Sequence, residues 1–327
     1  MMNEHAGAGR KLMRRALTVA LGLSACLLSA HLLPGSASAQ TAIPGGAREA
    51  TDETPMVPDT METARGLAMG LGARASAMST NGIAYNPAGL SIGRHYHIDS
   101  SVGYDPQAAR FWAGGSLADS HSGPINMGVN FRYVHGSGER GSYGGYDGRV
   151  ALGLPLGEHF ALGLTGRYMS FWREGAGNEE AAPFAEHVTF DAAIRVTPIP
   201  GLHIAALGHN LIDVGSPLVP MQVGGSISYT IDSAFTLAFD GLADLTTWQN
   251  PDGTIRPEAM IGGAAEYFTG EVPIRAGYIY DSGRDLHYVT AGSGWLNEQL
   301  GFDLSLRQQV NGAYDTRMMA SFRYFVH

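Results

Sequence analysis

Hydrophobic and polar residues alternate over the C-terminal two-thirds of the chain. Between residues 187 and 197, for example, Val188 and Phe190 alternate with Thr189 and Asp191. A period of two predicts a β-strand that has one apolar face and one polar face. The same pattern returns in segment after segment up to the end of the chain, so the sequence predicts an all-β fold.

About fourteen such segments of roughly ten to fourteen residues can be counted, which is the length that a tilted strand needs to cross a membrane. Tight connections alternate with longer loops such as 136–145, 173–185 and 248–257. Short turns on one side and long loops on the other are typical of outer-membrane barrels. The predicted strands are 95–104, 108–118, 125–135, 146–156, 159–172, 186–197, 202–213, 219–231, 234–247, 258–269, 271–281, 285–296, 299–310 and 315–326.

This pattern favours a transmembrane antiparallel β-barrel over a secreted β-sandwich, whose strands also alternate between apolar and polar residues. Strands this long and this numerous would make an unusually large sandwich. The surface of a soluble protein also rarely lacks lysine, and the only lysine here is Lys11. With an even number of strands both termini lie on the side of the tight turns, so we expect both termini to be periplasmic.

The composition excludes several other classes of protein. Glycine accounts for 45 of the 327 residues, about twice its average usage, which disfavours a helical bundle. Only 16% of the residues are charged, whereas disordered chains carry high charge and few aromatic residues. The net charge of −9 makes nucleic acid an unsuitable partner.

The N-terminus predicts a signal peptide over residues 1–39. A positive stretch around Lys11 precedes the apolar run Ala16–Leu33, and small residues at 37–39 offer a cleavage site. A membrane anchor is the alternative, because the apolar run approaches the length of a spanning helix. Cys26, the only cysteine, lies in a stretch that resembles a lipoprotein box, so its lipidation is left open.

Two segments separate the signal peptide from the predicted barrel, which we assign to residues 95–327. Residues 40–60 are rich in proline, threonine and acidic residues and predict a flexible periplasmic leader. Residues 61–94 are rich in glycine and alanine and predict a compact segment outside the barrel wall. Within it, Asn86 and Pro87 suit the cap and the first position of a helical turn.

The stretch RGLAMGLGARASAMSTNGIAYNPAGL at 65–90 resembles the N-terminal segment of FadL-type outer-membrane transport proteins and of their PorV-type relatives. Those families share a glycine-rich part followed by an Asn-Pro-Ala-Gly-Leu motif. The positions of this chain that match most clearly are Gly66, Gly70, Gly72, Asn86, Pro87 and Gly89. We expect these residues to fix the backbone of the segment rather than to contact a ligand.

The resemblance implies that residues 61–94 fold into the barrel lumen as a hatch. FadL-type proteins pass hydrophobic small molecules, such as long-chain fatty acids or aromatic hydrocarbons, across the outer membrane. PorV-type proteins are structural or protein-secretion components, which is the alternative function. The short mature chain and its modest loops depart from the transporter pattern, so we do not expect a large outer substrate groove.

The polar faces of the strands are predicted to line the lumen, because a charge that faces hydrocarbon costs about 2–4 kcal/mol near the membrane centre. Arginines there can hold a substrate carboxylate, or they can pair with acidic residues to brace the wall and grip the hatch, and we favour the second role. The candidate lumen-lining and ligand-binding residues are Asp99, Arg110, Arg132, Arg149, Arg167, Asp191, Arg195, Asp303 and Arg307.

Aromatic residues near the predicted strand ends are interpreted as a girdle that anchors the barrel in the membrane interface. They are Trp112, Trp172, Trp248 and Trp295, with Tyr104, Tyr168, Tyr267 and Tyr280.

Catalysis is not predicted. The sequence contains no nucleophile, metalloprotease or phosphate-binding motif, and His95 and His97 are spaced as chance allows on a polar strand face. We therefore predict no enzymatic activity, no metal site and no cofactor.

Two functions remain, and each predicts a different kind of lumen. A transporter predicts an apolar pocket beside the hatch and a lateral gap in the wall, and its ligand is a hydrophobic small molecule. A scaffold predicts a sealed, salt-bridged lumen and a secretion-system protein as its partner. In either case outer-membrane lipid and the barrel-assembly machinery are expected partners.

Overall fold

The computed structural model describes residues 63–93, 96–138, 141–173, 182–216, 218–248, 250, 252, 254–312 and 315–326. All of them belong to one compact unit, Ile43–His327. The predicted signal peptide, the leader and Cys26 lie outside the described residues. None of the helices among the described residues has the length and apolar character required to cross a membrane.

Fourteen antiparallel strands form a closed barrel, as the alternating pattern predicted. Each strand pairs with its neighbours in the sequence, and the first strand closes the ring by pairing with the last. The strands are β1 Tyr96–Asp105, β2 Arg110–Asp119, β3 Asn126–Gly138, β4 Gly141–Pro155, β5 Phe160–Arg173, β6 Ala182–Ile199, β7 Leu202–His209, β8 Gln222–Ile231, β9 Phe235–Asp244, β10 Glu258–Phe268, β11 Pro273–Asp281, β12 Leu286–Leu296, β13 Leu300–Gln309 and β14 Thr316–Val326.

The outer face of the barrel is apolar and its inner face is polar. On β1, Ile98 and Val102 are 41% and 47% exposed, whereas Asp99 and Ser101 are each 8% exposed. In a water-soluble protein the apolar faces are buried and the polar faces are exposed, because removing apolar surface from water is favourable. The arrangement is that of a transmembrane barrel, in which lipid covers the apolar face.

The two ends of the barrel differ. The turn end carries the connections 120–125, 156–159, 200–201, 232–234, 269–272 and 297–299, together with the paired ends of β1 and β14 at Tyr96 and Val326. The loop end carries the connections that begin after β1 and after every second strand from there. The turn end and the loop end are the two rims of the barrel.

Several predicted strand boundaries are wrong at the loop end. β3 and β4 continue to Gly138 and Gly141, which pair with each other, so most of the predicted loop 136–145 is hairpin. β6 starts at Ala182, inside the predicted loop 173–185. Strand pairing uses backbone groups alone, so glycine-rich stretches can extend a hairpin without an alternating side-chain pattern. β7 is shorter than predicted and stops at His209, because Asn210 has a positive φ of 52°.

The hatch fills the turn-end half of the lumen with short helical pieces. These are helix α1 Ala64–Ala68, a 3-10 turn at Arg74–Ser76, helix α2 Thr80–Tyr85 and a second 3-10 turn at Pro87–Ser91. α1 contacts β11–β14, α2 contacts β1–β4, and the two 3-10 turns contact β7–β9 and β3–β6. Arg65 of the hatch also contacts β10, through its ion pair with Glu266. The hatch therefore contacts every strand of the wall.

The Asn-Pro-Ala-Gly motif stabilises the second 3-10 turn, as its capping pattern predicted. The Asn86 side chain accepts a hydrogen bond from the Ala88 amide at 3.1 Å. Its amide group donates to the Arg74 carbonyl at 2.9 Å, which ties the two 3-10 turns together. Pro87 occupies the first turn position, and Gly89 lies so close to the Ala77 carbonyl that a Cβ would overlap it.

Glycines on the inner face of the wall make room for the hatch. At each of these positions a Cβ would come within 3 Å of a hatch atom. Such close approach is possible only where the strand residue has no side chain. The glycines of this seat are Gly128, Gly153, Gly163, Gly262, Gly277 and Gly292.

Candidate functional site

An apolar layer crosses half of the lumen above the hatch. One continuous row of paired positions runs from β14 through β1 to β6, and all of its members are apolar or glycine. Trp112 and Val134 in this row are 3% and 1% exposed. The hatch residues Ala64 and Leu67 pack against the same cluster. We call the row the apolar half-ring: Met319, Gly103, Trp112, Val134, Gly145, Phe171 and Ala185.

The aromatic rings of the half-ring lie flat along the wall because the neighbouring strand has glycine. The Trp112 ring covers Gly103, and the Phe171 ring covers Gly145, where a Cβ would overlap each ring. Trp112 is therefore an inward residue, and its prediction as an interface anchor is wrong. Trp248 is also buried, packed over Gly283, so the same correction applies to it.

One row closer to the loop end, the lumen becomes charged. The Arg110 Nη2 atom lies 2.7 Å from the Asp105 Oδ2 atom, and the Arg317 Nη2 atom lies 3.6 Å from the same oxygen. Both guanidinium groups also lie over the Trp112 ring, at 5.8 Å and 5.7 Å from its centre. Tyr143 continues this row on β4. These five residues are called the loop-end cluster.

Several donors of the loop-end cluster have no hydrogen-bond partner among the described residues. They are the Nε and Nη1 atoms of Arg110, the Nε1 atom of Trp112 and the hydroxyl of Tyr143, all buried. A buried donor without a partner costs about 1–3 kcal/mol, and such groups are uncommon in folded proteins. Arg110 and Arg317 both face the Asp105 carboxylate here.

Below the half-ring, a first ionic network joins β4, β5 and β6 to the hatch. Arg167 holds Asp147 through two nitrogens at 3.1 Å and 2.6 Å. Arg149 donates to the Ala84 carbonyl of α2 at 3.1 Å and lies 3.4 Å from Asp191. The network therefore braces the wall and grips the hatch at once.

A second network forms a chain of alternating charges on the opposite side. Arg65 of the hatch binds Glu266, with its Nη2 atom 2.9 Å from the Oε1 atom. Glu266 also pairs with Arg275, which donates to Asp303 at 2.6 Å. Asp303 then pairs with Arg323. Each buried charge in this chain has a neighbour of opposite sign, which is what burial of ions requires.

The candidate residues thus fall into separate groups. Arg149, Arg167 and Asp191 meet in the first network, Asp303 lies in the second, and Arg110 lies in the loop-end cluster. Asp99 is the register partner of Arg323 and so lies beside the second network. Arg132 is buried in the lumen, Arg195 donates to Ser91 of the hatch at 3.1 Å, and Arg307 stacks over Tyr288 at 5.1 Å. Their role in ligand binding stays a prediction.

Metal binding has no structural basis in the part of the chain that the structure describes. No three histidine, cysteine, aspartate or glutamate side chains of these residues come together as a metal ion would require.

The wall is incompletely paired beside β6. Among the described residues, strand pairing between β6 and β7 covers only Ala192–Ile199. Toward the loop end, the contacts of β6 on this side are made by the connecting segment instead, with the Leu211 amide donating to the Phe190 carbonyl at 2.8 Å. The segment then turns inward and buries Val219 against the apolar cluster. Hydrogen bonds from this segment to Phe190, Thr189 and Asp191, together with the packing of its side chains, take the place of a strand ladder here.

The sequence matches no protein-family model and no curated protein, but the structure resembles several solved channels. The CymD monoaromatic hydrocarbon channel aligns with a TM-score of 0.54 and 12% identity, over 75% of this chain and 91% of that chain. A Pseudomonas aeruginosa FadL homologue gives 0.54 and 11%, over 75% and 93%. The P. putida toluene transporter TodX gives 0.52 and 11%, over 80% and 97%.

These neighbours are transport channels and not enzymes, and the PorV-type alternative gains no support from them. At such low identity the likeness concerns the arrangement of the chain. The protein has the FadL-type fold, a closed fourteen-stranded barrel with a short helical segment at its N-terminal end.

Proposed function

We propose that this protein is an outer-membrane channel for hydrophobic small molecules of the fatty-acid or hydrocarbon class. The observation that carries the proposal is the apolar half-ring beside the hatch. The interior of a membrane barrel is ordinarily polar because it faces water. An apolar layer inside it, between two charged regions, is suited to a ligand that leaves water at that level.

The break in strand pairing beside β6 supports the same function. A hydrophobic molecule that reaches the half-ring would have to leave apolar surroundings to cross the ionic networks below it, which is unfavourable. The connecting segment, which buries Val219 in the apolar cluster, can move without breaking a strand ladder. A sideways path into lipid at this place would let the cargo stay in apolar surroundings.

The orientation of the barrel is part of the proposal. Outer-membrane barrels have short turns on the periplasmic side and longer loops outside. We therefore place the turn end, both termini and the hatch entrance toward the periplasm. The loop-end cluster would then meet cargo that arrives from outside the cell.

A structural or secretion-linked barrel is the second candidate. It is favoured by the two ionic networks, which tie the hatch to β4–β6 and to β10, β11, β13 and β14 in the turn-end half of the lumen. A scaffold needs such closure, and it has no need of the apolar half-ring.

The test is the retention of lipophilic molecules by protein purified from outer membranes, measured by mass spectrometry. We expect the protein to carry a fatty acid or another lipophile, and the Val134→Asn variant to lose most of it because a polar group then enters the half-ring. Ile125→Asn places the same change on the exposed 120–125 connection and serves as the control. Protein that carries no lipophile but a stable polypeptide partner would overturn the proposal in favour of the scaffold.

A further inference from the structure

We propose that β6 binds an extended segment of a partner polypeptide, which adds to the barrel wall as a strand. The binding site is the side of β6 at Glu186 and Val188, where this strand has a neighbour on one side only. We call it the free edge. The inference concerns the wall and not the cargo, so it goes beyond the proposed channel function and does not rest on it.

The strand register shows that one side of β6 lacks a strand near the loop end. On the β5 side, Glu186 and Val188 both have a register partner. On the β7 side, strand pairing stops at Ala192. The segment after β7 then donates to the Phe190 carbonyl and to the Thr189 side chain. Nearer to the loop end, none of its described backbone groups bonds to β6.

The free edge presents backbone groups that need partners. In an antiparallel ladder the N–H and C=O groups of successive residues point to opposite sides of the strand. The Phe190 carbonyl points away from β5, because it accepts the Leu211 amide at 2.8 Å. The N–H and C=O groups of Val188 and Glu186 point the same way. They have no backbone partner in the part of the chain that the structure describes.

A polypeptide strand is the partner that such an edge fits. Lipid chains offer no hydrogen bonds, so open sheet edges do not occur in contact with hydrocarbon. A row of unpaired N–H and C=O groups is a template for another strand, and strand addition is a common mode of peptide recognition. Val188 is 64% exposed, more than any other large apolar residue that the structure describes, as expected where a neighbouring strand is missing.

Glu186 indicates the charge of the partner. Its carboxylate is exposed on the outer face and accepts the Tyr168 hydroxyl at 2.9 Å, which leaves it further acceptor positions. A second copy of this chain would bring another Glu186 to the same edge, and like charges on neighbouring strands are destabilising. The partner is therefore a different chain, with a lysine or arginine beside Glu186 and an apolar residue beside Val188.

The free edge lies at the same break in pairing as the proposed sideways path. A bound strand would supply a ladder beside β6 and complete the wall at this place. Binding of the partner would therefore close the path, because moving a strand out of a ladder breaks its backbone hydrogen bonds.

The experiment uses a fluorescein-labelled peptide, Thr-Val-Thr-Lys-Thr-Val-Thr, whose lysine and valines share one face. Its binding to the full-length protein in lipid nanodiscs is followed by fluorescence anisotropy, with empty nanodiscs as the blank. Hydrogen–deuterium exchange is measured over residues 185–189 in parallel. We expect saturable binding, and at least about fivefold slower exchange of the Glu186 and Val188 amides when the peptide is bound.

Two control peptides separate strand pairing from adhesion of apolar side chains. An N-methylated version keeps every side chain but has no amide to donate. A version with glutamate in place of lysine keeps the backbone and reverses the charge beside Glu186. We expect each to bind about tenfold more weakly than the first peptide.

Val188→Pro tests the edge from the side of the protein. It removes an N–H that takes no part in pairing with β5, so the barrel should fold while peptide binding falls about tenfold. Val188→Thr keeps the N–H and is its control.

Glu186→Gln should weaken peptide binding by about fivefold, because the charge-assisted contact with lysine is lost. Glu158→Gln removes an exposed carboxylate in the turn 156–159 and should leave binding unchanged. Each variant is accepted only if it keeps the heat-modifiable migration of a folded barrel.

Three results would overturn the inference. The N-methylated peptide could bind as tightly as the first one, or Val188→Pro could bind the peptide as the unmodified protein does. The Glu186 and Val188 amides could also exchange slowly without any peptide, which would mean that this chain or a second copy already covers the edge. None of these results bears on the retention of lipophiles, so the proposed channel stands or fails separately.

Discussion

At the scale of single residues, the absence of a side chain is as informative as its presence. The inner face of the wall carries glycine where the hatch backbone approaches most closely. Gly163 on β5 is an example, because a Cβ there would overlap the backbone of Ala88. The hatch thus fits against the wall only because these wall positions have no side chain.

Replacing Gly163 by valine should loosen the hatch. Overpacking of this kind costs about 1–3 kcal/mol, and here the strain falls on the 3-10 turn at Pro87–Ser91. We expect a lower unfolding temperature and larger or more frequent current openings in planar lipid bilayers. Gly166→Val, on the outer face of the same strand with nothing within 4 Å, is the matched control. Equal behaviour of the two variants would contradict the role of Gly163 as a seat.

At the scale of elements, the hatch is a set of short turns that depend on one another. None of its helical pieces exceeds six residues, and helices of this length are not stable alone. Asn86 connects two of them, through Ala88 on one side and Arg74 on the other. The element is therefore expected to loosen cooperatively when this link is removed.

Asn86→Ala should cost about 0.5–2 kcal/mol for the lost cap, and it leaves the buried Arg74 carbonyl without its side-chain donor. Hydrogen–deuterium exchange should rise throughout residues 64–91. Asn297→Ala removes a similar cap from the exposed turn 297–299, where Asn297 accepts from the Leu300 amide at 2.7 Å, and should raise exchange only there. A rise confined to Pro87–Ser91 in the Asn86 variant would show that the turns are independent.

The sequence patterns predicted the strands better than they predicted which side chains meet inside the lumen. Alternation fixes which residues face lipid, since a slip of one residue would invert both faces. It does not reveal which inward residues become neighbours, because that depends on the register of every hairpin. Trp112 could have been found: it lies two residues from Arg110 and must share its inward face. Tyr143 could not, because its glycine-rich surroundings indicated a loop.

At the scale of the whole molecule, the barrel is divided into layers. The turn-end half is filled by the hatch and held by ionic networks, and the half-ring and the loop-end cluster lie above it. The networks explain how a chain with no cysteine outside its predicted signal peptide keeps a plug of short turns in place. They also suggest where the lumen can be opened.

Glu266→Gln should weaken the closure of the lumen. Glu266 bridges Arg65 of the hatch and Arg275 of the wall, and removing one partner of a buried ion pair costs about 3–5 kcal/mol. We expect higher conductance in planar bilayers, as the two arginines separate. Glu258→Gln breaks a more exposed pair with Arg256, worth at most about 1 kcal/mol, and should leave the conductance unchanged. Similar currents from both variants would argue against an ionic lock.

The aromatic rings that lie over glycines affect the width of the lumen. Gly103 and Gly145 have no side chain, so the rings of Trp112 and Phe171 can lie flat against the wall. The diameter of the lumen at the half-ring therefore depends on these two glycines. A single methyl group added at either glycine would tilt a whole ring toward the axis. The lumen at this level could thus be narrowed, in evolution or by design, by a change at a glycine that lies beneath a ring.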